Sequence, residues 1–386
     1  MALYKLPSDG QVPQTPFYYY DMQLLRRTLD TVRSEAARYG YHVHYAMKAN
    51  VEGPVLDLIS DYGLGADCVS GWEVQAAVEH GFAPNKIVFA GVGKSDAEII
   101  YALEQNIFAF NCESLEELEV INNLAASLGK TATVAMRINP DVEPDTHKNI
   151  STGQGESKFG ISYTEIDKAL EKVNTLDNIH IVGIHFHIGS QIRNLDSFRK
   201  LAIRVNELVD WFTSKGIRLE YLNMGGGLGI NYHDPDSELI PDFAGYFKLF
   251  NENLKVSEGQ TVHFELGRSI VGQCGELITK VLFTKESSTG SKYIIIDAGF
   301  TELIRPALYG SHHELENISA EGENRSTERY YIGGPICESS DIFARDTEIS
   351  ATRRGDYIAI RSAGAYGSIM SSHYNMRPTV KSYFNE

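Results

Sequence analysis

The chain has 386 residues, 42% hydrophobic, 22% charged and 10% aromatic. At roughly 150 residues per domain this length predicts two domains, and the composition excludes disorder, collagen and coiled coil as the main architecture. Thirty-five Lys and Arg against 51 Asp and Glu leave a net charge of −16, so neither nucleic acid nor an anionic membrane is an expected partner.

The opening stretch, MALYKLPSDGQVPQTPFYYYD, has no basic start followed by an apolar run, so no signal peptide and a cytoplasmic protein are expected. No stretch approaches the ~20 apolar residues of a membrane span. Within that opening, TPFYYYD (15–21) has β character. The four cysteines, Cys68, Cys112, Cys274 and Cys337, lack zinc spacing and are too few for a disulfide scaffold; no metal is expected.

From residue 41, eight apolar, β-branched runs alternate with helical patterns. The runs are HVHYAMK (42–48), LGADCVS (64–70), KIVFAG (86–91), NIFAFNC (106–112), TATVAMRIN (131–139), IHIVGIHFHIG (179–189), EYLNMGGG (220–227) and TVHFELG (261–267). The helical segments include 71–81, 114–129 and 195–216, with Phe198, Leu201, Ile203, Val205, Leu208, Val209 and Phe212 as the apolar stripe of the last. Gly81, Gly129 and Gly216 sit where a left-handed cap would end each helix. Eight alternating units predict an α/β fold closed as a (βα)8 barrel. The alternative, a doubly wound open sheet, lacks its G-x-G-x-x-G helix opening after the first strand.

After about residue 270 the texture changes. ELITKVLFTK (276–285), KYIIIDAG (292–299), RYYIGG (329–334) and DYIAIRSAG (356–364) read as strands without long helices between them. That predicts a mainly antiparallel β-domain, which FYYY could join. The expected domains are 24–268 for the barrel and 1–23 plus 269–386 for the β-domain. The polar connection 140–163, long for a compact domain, has the character of a functional loop.

Barrel active sites stand at the C-terminal ends of the strands. Those ends carry Lys48, Asp67, Asn111, Asn139, His187, Gly225-Gly226-Gly227 and Glu265. Any one of them could be polar merely because a loop begins there; a lysine, a histidine, a glycine triplet and a glutamate in phase are harder to explain so. Lys48 at a barrel mouth suits a covalent amine nucleophile. The triplet offers backbone N–H groups after the seventh strand, where phosphate sites recur in this architecture. Together they suggest pyridoxal 5'-phosphate (PLP) bound through Lys48, with Glu265 facing the pyridine nitrogen and His187 against the ring.

YAMKAN, HFHIGSQ, NMGGGLG, ELGRSI, RPALYG, GPICESSD and GAYG occur in that order, and in this the chain resembles the fold type III PLP-dependent decarboxylases, more narrowly those acting on diaminopimelate. The resemblance runs from about residue 15 to the C-terminus. It implies that Lys48 holds the cofactor, with Asp67 near its amine, and that His187 stacks on the ring. It places Ser190, Gly226, Gly227 and Tyr366 on the phosphate and Glu265 on the pyridine nitrogen, with Gly267 and Arg268 of the same motif also binding the cofactor. It implies decarboxylation of meso-2,6-diaminopimelate to L-lysine by a homodimer with shared active sites. Cys337, the proton donor, and Glu338, a substrate ligand, would then come from the second subunit.

A substrate with an amino-acid group at each end needs its distal end held as a zwitterion. Arg268, Arg305 and Tyr366 with Tyr309 can take the carboxylate, and Glu338 the ammonium. Decarboxylases of ornithine, arginine or carboxynorspermidine, PLP racemases and a non-catalytic homologue are the rival readings; RPALYG and CES favour diaminopimelate. Two positions depart from the family pattern: Leu266 replaces the usual proline of ELGR, and Trp72 replaces the second glycine of SGWE.

Overall fold

A computed structural model describes residues 1–140, 142 and 158–385; most of the connection 140–163 lies outside them. The described chain forms two compact units.

The first unit comprises Leu29–Gly229 and Asp242–Gly267. Its eight strands are His42–Ala46, Gly65–Cys68, Ile87–Phe89, Ala109–Cys112, Ala132–Asn139, Ile179–His185, Tyr221–Asn223 and Thr261–Leu266. Each pairs in parallel with the next, and the eighth pairs back onto the first with Glu265 opposite His44, closing the predicted barrel. Most of their residues are buried, which is why they read as apolar runs rather than as alternating patterns. A two-residue strand, Ile161–Ser162, adds onto the end of the fifth.

Local signals set the helices between the strands. Ser70 and Ser114 each accept the N–H of a glutamate three residues on, opening Gly71–Glu79 and Leu115–Ser127, and Ser95 with Glu98 closes a capping box at Asp96–Gln105. Gly81, Gly129 and Gly216 have φ of +82°, +63° and +78°, the left-handed geometry expected of them. On Asp196–Ser214, Phe198, Leu201, Val205, Leu208, Val209 and Phe212 are buried. Ile203 is not: it is 49% exposed, because two residues from Leu201 along a helix is the opposite face.

The second unit comprises Met1–Thr28, Ile230–Pro241 and Arg268–Glu386. Its spine is the long strand Gly275–Glu286, which pairs antiparallel with Phe17–Tyr20, Lys292–Ile296 and Tyr357–Ile360. FYYY therefore does join this sheet. Two pairings are parallel, Phe17–Tyr20 with Lys381–Phe384 and Lys292–Ile296 with Thr327–Gly333, so the sheet is mixed but mostly antiparallel. Phe17, Ile278 and Ala359 pack with Ala2, Tyr4 and Ile318 beneath it; each fully buried large apolar side chain there contributes about 1.5–3 kcal/mol.

Candidate active site

Within the barrel unit, Lys48 sits on a single helical turn, Met47–Ala49, directly after the first strand. Its Nζ lies 3.7 Å from Asp67 Oδ2. Asp67 is fully buried, and neither of its carboxylate oxygens has a hydrogen-bond partner among the described residues. Burial, and then the nearby Glu265, pushes its carboxyl up to about 6, while Lys48 opposes the shift. Gly267 is needed here for close approach: a Cβ would come within 3.0 Å of the Ala46 and Ala49 methyls, so glycine lets the end of the eighth strand pass against the Lys48 turn.

Glu265 stands in the eighth strand, 5% exposed, inside a cage of donors. Its Oε1 accepts from Asn223 Nδ2 at 2.7 Å and Asn111 Nδ2 at 3.1 Å, and its Oε2 lies 2.9 Å from His185 Nε2. Burial pushes the Glu265 carboxyl up to about 7, and Lys48, the Asn223 bond and Arg137 hold it down against that. Burial, reinforced by Arg137, pushes His185 down to about 3. The imidazole is therefore neutral, with its proton on Nε2 donated to the carboxylate. Arg137 is itself tied to Glu113 at 2.7 Å.

His187 follows the sixth strand, and the Gly226 N–H donates to its Nδ1 at 3.3 Å. Burial and Lys48 hold this imidazole well below its usual range, so a flat, neutral ring is presented. Gly225, Gly226 and Gly227 admit no side chain, since a Cβ would stand 2.0, 1.8 and 2.4 Å from the carbonyl oxygens of Phe186, Glu265 and Gly189. Ser190 belongs to the facing loop, where Gln191 has φ +59° and Ile192 N–H donates to the Gly227 carbonyl at 2.8 Å. Thus Lys48, Asp67, His187, Ser190, Gly226, Gly227, Glu265 and Gly267 lie on strand ends and loops of one barrel unit.

The second unit gathers the other predicted residues. Arg305 opens the short helix Arg305–Tyr309 and is buried, as is Arg268. Tyr232 links them: its ring faces the Arg305 guanidinium at 4.6 Å, and its hydroxyl accepts from Arg268 Nη1 at 2.6 Å. Arg268 also lies over the Tyr366 ring at 4.7 Å. Tyr366 has φ +56°, a conformation that costs a tyrosine energy and that functional sites often retain. Tyr309, on the Arg305 helix, acts on both arginines electrostatically. Cys337 and Glu338 are exposed. The Cys337 N–H reaches Asn375 Oδ1 at 3.4 Å, and Tyr374 donates its hydroxyl hydrogen to Glu338 at 2.8 Å.

His185, Asn223, Tyr232, His313 and Tyr374 were not picked out as site residues by the sequence. A local signal existed for one of them: His185 lies two residues before His187 in the run IHIVGIHFHIG, at the last position of the sixth strand. Of the two departures, Leu266 is buried at 1% exposure, whereas Trp72 is 78% exposed among the described residues.

The barrel residues fit PLP. A buried carboxylate without hydrogen bonds beside a lysine, bare backbone at a glycine turn, and a buried acid held ionisable by three donors are the donor set that an aldehyde, a phosphate and a pyridinium require.

An eight-stranded parallel barrel carrying such a lysine and acid, followed by a mostly antiparallel sheet, defines the class of PLP enzymes with a barrel cofactor domain. Residues 23–272 match the family described as pyridoxal-dependent decarboxylase, pyridoxal binding domain. The chain belongs to the pyridoxal-dependent decarboxylase family. It is 53% identical over 374 residues to the diaminopimelate decarboxylase of Bacteroides thetaiotaomicron, covering 97% of this chain and 96% of that protein. It is 44% identical over 369 residues to that of Aquifex aeolicus, covering 94% and 85%. Among solved structures, Helicobacter pylori diaminopimelate decarboxylase complexed with L-lysine superposes with a TM-score of 0.90 at 36% identity, covering 97% of this chain and 93% of that one. The arginine decarboxylase of Paramecium bursaria Chlorella virus, 22% identical with a TM-score of 0.85 over 97% of each chain, shares the fold. Among the described residues no helix is long and apolar enough to cross a membrane.

Proposed function

We propose that this chain is a carboxy-lyase that uses PLP to convert meso-2,6-diaminopimelate into L-lysine and CO2. The observation that carries the reading is the caged Glu265 in the same barrel unit as the Lys48–Asp67 pair, together with full-length relatives of that activity. In this reading residues 24–268 are the PLP-binding barrel, and residues 1–23 with 269–386 are the β-domain.

Lys48 holds the cofactor by its amine, Asp67 supplies a negative charge beside it, and His187 lies against the ring. Ser190, Gly226 and Gly227 with Tyr366 take the phosphate, while Gly267 and Arg268 continue the motif at the other end. When bound, PLP supplies a conjugated ring that accepts the electron pair left as the Cα–carboxylate bond breaks. Glu265, whose carboxylate takes hydrogen bonds from Asn111, Asn223 and His185, would balance a positive ring nitrogen and so favour that withdrawal. The Cys337 thiol then donates its proton to Cα, where the new C–H bond replaces the lost C–C bond. Lys48, whose amine would hold the cofactor, is also the amine beside Asp67 available to replace the product amine.

Arg268, Arg305, Tyr309 and Tyr366 take the distal carboxylate and Glu338 the distal ammonium. Paired arginines favour a substrate that carries a carboxylate at this end over a diamine. The exposed Cys337–Glu338 loop supports a homodimer in which each chain's loop serves its partner's barrel; a cytoplasmic location belongs to the same reading. Incubation with PLP and meso-diaminopimelate, following CO2 and lysine with ornithine and arginine as competitors, tests the activity. Release of CO2 from ornithine or arginine in preference to diaminopimelate would overturn it.

A further inference from the structure

We propose that Asn223 is a positioning residue that ties the acid facing the cofactor ring to the glycine turn offered to its phosphate. The inference rests on the PLP reading above.

Asn223 ends the seventh barrel strand and is completely buried. Its Oδ1 accepts the Gly225 N–H at 2.8 Å, and its Nδ2 donates to Glu265 Oε1 at 2.7 Å. The orientation of the amide is dictated by its neighbours: a backbone N–H cannot accept, so the atom facing Gly225 is the oxygen and the nitrogen faces the carboxylate. Backbone pairing reinforces the link, since the Glu265 N–H donates to the Gly225 carbonyl at 2.9 Å. Displacement of the asparagine thus disturbs both the acid and the turn.

The chemistry selects asparagine. A buried carboxylate needs donors to stay ionised, and the buried Gly225, which turns the chain at φ +69°, needs an acceptor for its N–H. One planar amide supplies both. Aspartate keeps the oxygen for Gly225 but sets a second carboxylate against Glu265, so the pair shares a proton. Alanine removes both bonds, and with them the contact from Nδ2 to the Tyr221 hydroxyl. Asn111 is the internal contrast. It also donates to Glu265 Oε1, but its Oδ1 has no partner among the described residues, so it does not tie the acid to the glycine turn.

The test uses the purified holoenzyme and two readouts besides turnover: the visible absorption of bound PLP as a function of pH, and the PLP dissociation constant. Asn223→Asp is expected to move the spectral pH midpoint by at least about one unit and to lower kcat at least tenfold, leaving PLP affinity within about threefold of wild type. Asn223→Ala is expected to move the spectrum and also to weaken PLP binding about tenfold. Asn111→Ala is expected to move the spectrum without weakening PLP binding. The inference is overturned if Asn223→Asp titrates as wild type does, or if Asn111→Ala weakens PLP binding as much as Asn223→Ala. Wild-type protein that takes up no PLP would instead overturn the cofactor reading itself.

Discussion

Arg305 Nη1 lies 2.8 Å from His313 Nε2, and the other ring nitrogen of His313 lies 2.8 Å from the Arg361 carbonyl oxygen. A guanidinium only donates and a carbonyl only accepts, so His313 is the neutral Nδ1–H tautomer. Burial, and then the Arg305 charge, holds its pKa well below the usual imidazole range. The imidazole is thus an acceptor that fixes one side of Arg305 while Tyr232 covers its face. Replacement of His313 with leucine removes that acceptor from a buried cation. We expect the KM for diaminopimelate to rise about 10- to 150-fold, the range of one hydrogen bond to a charged group, with the visible spectrum of bound PLP unchanged. A KM within twofold of wild type would refute this role.

A different pH effect originates low in the barrel. His44 Nδ1 lies 3.0 Å from the Lys86 carbonyl and must donate to it, so His44 Nε2 accepts from His263 Nδ1 at 2.8 Å. Burial pushes His44 down to about 4. In the unfolded chain it takes up its proton near pH 6.5. Between about pH 6.5 and 4 the unfolded state therefore binds a proton that the native state refuses, and stability falls as pH falls. Because His44→Gln does not titrate, its unfolding free energy should decline less steeply across that window, by up to about 1.4 kcal/mol per pH unit. Urea unfolding at pH 7, 6, 5 and 4.5 measures the two slopes; parallel curves for variant and wild type would exclude a contribution from His44.

What the sequence revealed and what it hid have physical causes. Barrel strands buried on both faces stand out as apolar runs, and glycines at positive φ mark the helix ends, so the barrel and its glycine turn were legible. The strands Leu315–Asn317, Ile342–Ser350 and Lys381–Phe384 were not. The first is too short to show a pattern. The second is largely polar and carries Asp346 at φ +51°. The third is defined by pairing with Phe17–Tyr20, more than 360 residues away. Lys48, Asp67 and Glu265 were visible as polar residues ending apolar runs. Asn223 was hidden because nothing local shows that its amide reaches both Gly225 and Glu265, whose strand lies some 40 residues on.

The proposed roles of Lys48 and Cys337 separate cleanly. Lys48→Ala removes the amine that holds the cofactor and should abolish both turnover and the visible absorbance of bound PLP. Cys337 is an exposed thiol and belongs to the proton-transfer step alone. Cys337→Ala should therefore keep the absorbance and lose about 10²–10⁴-fold in kcat, the usual contribution of a positioned acid. Spectra and steady-state rates of the two variants decide the matter. Loss of PLP from Cys337→Ala, or its retention in Lys48→Ala, would contradict the assignment.

The proposed homodimer with shared sites makes a sharper demand. If each site takes Lys48 from one subunit and Cys337 from the other, the Lys48→Ala and Cys337→Ala homodimers are both inactive. A mixed dimer differs: it has one site with both replacements and one with neither. Random reassortment makes half of the dimers mixed, each with one intact site of two, so an equimolar mixture should regain about a quarter of wild-type turnover. Subunits that exchange slowly are brought to the same endpoint by co-expression of the two variants with different affinity tags and isolation of the doubly tagged dimer, which should show about half of wild-type turnover per dimer. Were each site built within one chain, every site in the mixed dimer would carry one replacement, and no activity would return however long the subunits were left to exchange.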